Sequence, residues 1–146
     1  MRRVIGILAA SLMLAACADK GPAEKQASAP AAAAAAPGQT VIEVPSFEVS
    51  SKAEDIAKGQ EAFANKGCTA CHKIGGGKLV GPDLKGVTAR RDETWIKKMI
   101  LRPDVMVKED ATARKLLTEY LTPMPNQGVD PAQDLPVILA YLKSNE

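Results

Sequence analysis

Cys68-Thr69-Ala70-Cys71-His72 places two thiols three residues apart and an imidazole immediately after the second. One turn of chain then lets each thiol add to a vinyl group while the histidine presents a nitrogen to iron, which is the attachment pattern for haem c. A Cys-x-x-Cys pair also serves thiol–disulfide exchange, and it can make half of a zinc site. The first use belongs to a strand–helix unit, for which the chain carries no pattern. The second needs a further ligand that no second histidine or second cysteine pair supplies. One covalent haem c on Cys68, Cys71 and His72 is therefore the expected cofactor. His72 is the only histidine, which excludes bis-histidine ligation from within this chain.

Working outward, the flanking sequence is helical in period. Ile56, Gly59 and Phe63 share one face of a helix that ends near Gly67, and Ser51 with Glu54 three residues on has the form of a capping box. A second apolar stripe runs through Trp95, Ile96, Met99 and Ile100 and is stopped by Pro103. A third takes in Ala113, Leu116, Leu117, Tyr120 and Leu121 up to Pro123. The last helix sets Leu135, Ile138, Leu139 and Leu142 on one side. Asp130 followed by Pro131 is one start signal, but Pro136 would then remove a backbone hydrogen bond, and a fresh start at Asp134 puts Pro136 in the first turn, where its missing N–H costs little. With no alternating run long enough for a sheet, the expected fold is an all-α domain over residues 46–146. The chain has 146 residues, 46% of them hydrophobic, so there is room for one modest domain. One Trp, two Tyr and two Phe leave so small a core short of large apolar groups, and a haem fills the deficit.

The iron's other axial position has to be met from elsewhere. A thioether suits a low-spin haem and raises its potential, so methionines are the candidates, with a lysine or an open position behind them. Met99 shares a stripe with Trp95 and is most simply a core residue. Met106 lies in a polar stretch between helices, within reach of a mobile loop, and is the main rival. Met124 is the expected ligand, because Pro123 and Pro125 hold its backbone extended and limit the freedom lost when sulfur meets iron.

The first 16 residues read as an export signal: Arg2 and Arg3, then an apolar run of 13 residues, Val4 to Ala16, short of the roughly 20 needed to span a bilayer. Leu14-Ala15-Ala16-Cys17 resembles the lipobox of bacterial lipoproteins, which implies lipid on Cys17 and a place on the periplasmic side of a bacterial membrane. Residues 17–45 form an Ala/Pro-rich tether with almost no large apolar group, too poor to bury a core of its own. Near its end the β-branched run Val41–Val44 is expected to lie extended against the domain, and Pro45 bars a longer strand.

The stretch from Ile56 to Leu142 resembles the class I c-type cytochromes, small all-helical carriers with one haem. The matching pieces are Gly59 and Phe63, the motif from Cys68 to His72, Gly81-Pro82-Asp83-Leu84, Trp95 before Pro103, Met124 before Pro125, and Ala140-Tyr141-Leu142. The resemblance implies that the first and last helices cross with Gly59, Phe63 and Tyr141 in contact, and that Trp95 belongs to the haem environment. It also implies that the carbonyl of Pro82 accepts the proton on the far nitrogen of His72. Two departures stand out: the stretch between Pro103 and Met124 is longer than in the plainest members, and three methionines lie downstream of the motif.

What the resemblance implies of function is single-electron transfer without catalysis, between a donor and an acceptor complex such as a terminal oxidase or a denitrification reductase. The partners are redox proteins and, through Cys17, a lipid membrane; no nucleic acid or small-molecule substrate is expected. The alternative is a haem sensor or peroxidase-like protein with an open iron site, against which the lack of a second histidine counts. Charge is uneven: residues 66–102 hold nine basic groups against three acidic, and residues 103–146 hold four against seven. Lysines beside the motif suit steering of an acidic partner, and equally a solvated face, while Arg90 or Arg91 is placed to pair with a haem propionate.

Overall fold

The computed structural model describes residues 40–146; the expected export signal, Cys17 and most of the expected tether lie outside the described residues. Six helices follow in order: α1 Ala53–Asn65, α2 Val87–Arg90, α3 Glu93–Leu101, α4 Pro103–Glu109, α5 Ala111–Tyr120 and α6 Asp134–Lys143, with a 3-10 turn at Cys68–Ala70. No strand occurs among the described residues, so the domain is all-α. None of these helices is long and apolar enough to cross a membrane.

Local chemistry sets the helix ends. Asp92 accepts from the Trp95 amide at 3.1 Å to start α3, and Asp110 accepts from the Ala113 amide at 2.8 Å to start α5. Of the two starts the sequence offers, helix α6 takes the later one, at Asp134 with Pro136 in its first turn, and the Asp130–Pro131 signal forms only the turn before it. Two expectations need correction. The capping box at Ser51 does not form: Lys52 takes the cap position, and Glu54 instead pairs with Lys58 one turn ahead at 2.6 Å. Ser50 organises the entry, accepting from the Lys52 amide at 3.2 Å and donating to Asp55 at 2.6 Å. Pro103 ends α3 but also begins α4, because its fixed φ and absent N–H suit a first helical position.

Helices α1 and α6 cross over the core of Phe63, Val87, Ile96, Val129, Leu135, Ile138, Leu139 and Leu142. The crossing is close at Gly59, where a Cβ would stand 1.9 Å from the carbonyl oxygen of Val137. One turn on, the rings of Phe63 and Tyr141 meet with centroids 5.5 Å apart, tilted at 56°, so Gly59, Phe63 and Tyr141 share the crossing. The start of the described chain is held too. Thr40 donates its amide to Glu109 at 3.0 Å, and the buried Lys97 donates to the Pro45 carbonyl at 3.1 Å, pairs with Glu93 at 2.8 Å and lies 3.9 Å over the Phe47 ring. Thr40 and Pro45 therefore lie against α4 and α3 respectively.

Lys66, just past α1, ties the two long helices at their ends. Its ammonium reaches Asp134 at the start of α6 at 2.7 Å and the Gly128 carbonyl at 2.9 Å. The hydrogen bond from Lys66, and then one from the Asp130 amide, hold the Asp134 carboxyl below the usual carboxylate range. A depressed folded pKa stabilises above the unfolded value and is lost as pH falls through the folded one. We expect Asp134→Asn to cost about 1 kcal/mol near neutral pH, solvent screening limiting a part-exposed pair. In chemical denaturation the two proteins should converge as pH drops below the folded pKa.

Candidate haem site

Between the α1–α6 crossing and the wall made by α3 and α5 lies a cavity of about 180 Å³, and Cys68, Cys71, His72, Pro82, Trp95 and Met124 all line it. The turn after α1 explains the first three. The His72 amide donates to the Cys68 carbonyl at 2.9 Å and the Cys71 amide donates to the same oxygen at 3.2 Å. That winding brings both thiols and the imidazole to one wall. The cysteines are not joined to each other and both are partly buried. Burial pushes the Cys68 thiol up, the opposite of what an attacking thiol in disulfide exchange requires.

His72 is fixed in orientation. Its Nδ1 lies 2.8 Å from the carbonyl oxygen of Pro82; since a carbonyl only accepts, Nδ1 carries the proton and Nε2 keeps its lone pair. Gly81 lies flat against the ring, and a Cβ there would stand 2.7 Å from Cε1 and 3.0 Å from Nδ1. Across the cavity are Trp95, Met99 and Ile100 of α3, and Leu116, Leu117 and Tyr120 of α5.

Met124 lines the cavity from the loop after α5. That loop is tied down by residues that sequence reading did not single out: Asn126 donates to the Leu101 carbonyl at the end of α3 at 3.1 Å, and its side-chain oxygen accepts from the Gly128 amide at 2.9 Å. An Asn directly after Pro-Met-Pro and two residues before a Gly is an Asx-turn signal that could have found it. Met106 is placed differently from its expectation. It is helical, on α4, only 4% exposed, and it does not line the cavity. The restart of the helix at Pro103 turns that supposed loop into packed core. The methionine that shares the cavity with Met124 is Met99.

Trp95 and the two arginines are also sorted. The indole N–H of Trp95 donates to Asp110 at 3.0 Å, so Trp95 offers the cavity its ring and not a hydrogen bond. Arg90 spends its guanidinium on the carbonyls of Lys85 and Asp83, the latter at 3.0 Å, whereas Arg91 lies 5.4 Å over the Trp95 ring. Of the two, Arg91 keeps its outer nitrogens freer for an anionic group at the cavity rim.

This set fits a haem: an apolar cavity, two thiols and an oriented imidazole on one wall, and a thioether on another. No group of three or more His, Cys, Asp or Glu side chains suited to a metal ion occurs among the described residues.

Comparison with known proteins agrees. The family model described as Cytochrome c matches residues 56–146. The c-type cytochrome cyt cy of Rhodobacter capsulatus is 52% identical over 40 residues, 27% of this chain and 20% of that protein. Cytochrome c-551 of Azotobacter vinelandii is 56% identical over 32 residues, 22% of this chain and 38% of that protein. The chain thus spans well under half the length of these curated relatives. Among solved structures, cytochrome c from Rhodothermus marinus is similar with a TM-score of 0.63 and 28% identity, over 72% of this chain and 88% of that one. The chain belongs to the cytochrome c family, within it to the class I c-type cytochromes, and the family's prosthetic group is a covalently bound haem c.

Proposed function

We propose that this protein is a membrane-anchored electron carrier on the periplasmic side of a bacterial membrane, passing single electrons through a haem c ligated by His72 and Met124. The supporting observation is that a tautomer-fixed imidazole and a proline-flanked thioether line the same apolar cavity. When bound, the haem supplies a one-electron ferric/ferrous couple. Cys68 and Cys71 would hold it through two thioether bonds. His72 would offer the iron its Nε2 and Met124 its thioether, and the α3 and α5 side chains that line the cavity would exclude water.

Lipid on Cys17, with the tether behind it, keeps the domain near a membrane donor and raises its local concentration at the acceptor. A terminal oxidase or a denitrification reductase is the acceptor class we favour. The basic stretch from Lys66 to Arg102 suits transient docking of an acidic partner.

The absorption spectrum of the haem-loaded protein tests the central reading. We expect a low-spin spectrum in both oxidation states, a weak sulfur-to-ferric band, and no change on adding carbon monoxide to the ferrous form. A high-spin spectrum with ready carbon monoxide binding would overturn the carrier in favour of a sensor or peroxidase-like protein.

A further inference from the structure

The Pro82 carbonyl that meets His72 belongs to a loop with its own lock. The Gly81 amide donates to the Cys71 carbonyl at 2.8 Å and the Leu84 amide to the Lys73 carbonyl at 2.9 Å, so Pro82 is suspended between two backbone bridges. Past the bridges the loop closes on the carboxylate of Asp83. One oxygen accepts from the amides of Gly75 and Lys85, both at 2.8 Å, and the other from the amide of Gly77 at 2.6 Å. The run Gly75-Gly76-Gly77, with φ of 80°, 90° and 84°, bends the chain so that two of its amides converge on that carboxylate. From the far side Arg90 of α2 grips the carbonyls of Asp83 and Lys85. Through these hydrogen bonds the Asp83 side chain joins the glycine turn to the segment that carries Pro82.

We propose that Asp83 is a positioning residue for the electron-transfer centre: by locking the 73–85 loop it holds the Pro82 carbonyl on Nδ1 of His72, and so sets how strongly the imidazole donates to iron. The inference rests on the reading of His72 as a haem ligand. A hydrogen bond from the outer nitrogen raises ligand basicity. A more basic imidazole favours ferric iron, so slackening the loop favours ferrous.

The test uses the full haem-loaded chain. In Asp83→Ala we expect the ferrous-to-ferric ratio at fixed ambient potential to rise roughly three- to tenfold, tenfold being about 59 mV for a one-electron couple. The Nδ1 proton of His72, followed by NMR in the ferrous protein, should exchange with deuterium at least about tenfold faster, since exchange reports local opening. Asp83→Asn keeps one side-chain oxygen for two of the three amides, so both readouts should move the same way by less. If Ala at this position prevents haem loading, the Asn variant decides. Loaded variants that melt lower but keep the wild-type potential and exchange rate would overturn the positioning role and reduce Asp83 to a loop brace. A wild-type chain that attaches no haem overturns the underlying ligand reading instead.

Discussion

Replacing Gly59 with alanine should lower the stability of the domain by about 2 to 3 kcal/mol, despite improving the helix propensity of α1. The propensity gain is about 1 kcal/mol at most. Against it, the new methyl would lie 1.9 Å from the carbonyl oxygen and 2.7 Å from the carbonyl carbon of Val137, and 2.8 Å from Cβ of Tyr141. Two of these are backbone atoms within α6, so no rotamer change relieves the clash and the helices must separate. Overpacking of this kind typically costs about 1 to 3 kcal/mol and occasionally more, and here it adds the loosening of the Phe63–Tyr141 contact. From a total of roughly 5 to 15 kcal/mol this is a large fraction. Thermal unfolding should fall by about 8 to 24 °C, at about 4 to 8 °C per kcal/mol. An unchanged melting temperature would show that the crossing is not tight at Gly59.

Removing the thioether of Met124 should have the largest effect on the haem. In Met124→Ala we expect high-spin ferric iron, ready carbon monoxide binding and a lower potential. The drop should be on the order of 100 mV, a fraction of the roughly 0.8 V that axial ligands span. The other methionines make this a discriminating test. Met106 is buried on α4 away from the cavity, so Met106→Ala should leave the spectrum low-spin while costing about 2 to 5 kcal/mol of stability. Met99 lines the cavity from α3, where Trp95 is its neighbour one turn back, and Met99→Ala should also stay low-spin. A Met99 variant that opens the iron while the Met124 variant does not would transfer the ligand from the loop to the helix.

Much of the domain is legible in the sequence because its signals are local. The Cys68–His72 spacing, the 3.6-residue period of α1, α3, α5 and α6, and the stops at Pro103 and Pro123 each act within a turn or two of chain. Gly59, Phe63 and Tyr141 are legible through family resemblance, which carries long-range information that periodicity lacks. The failures are equally specific. Ser51 and Glu54 satisfy the pattern of a capping box, but Glu54 has a better partner in Lys58. Met106 lies in a segment read as a loop between helices, yet Pro103 restarts a helix there and packing hides the sulfur beside Val105.

Which groups share a cavity is a property of distances between elements far apart in the chain, and no local preference encodes it. Cys68, Cys71 and His72 were certain to lie together because five residues of chain allow little else. Trp95 was free to spend its indole N–H on the haem or on the protein, and the approach of α5 gives it Asp110. Arg90 was free to meet a propionate, and the 73–85 loop offers it two carbonyls instead. The covalent chemistry of the motif was written in five consecutive residues, whereas the environment around it was settled by which helices pack against it, since burial leaves each polar group only the partners that packing brings within reach.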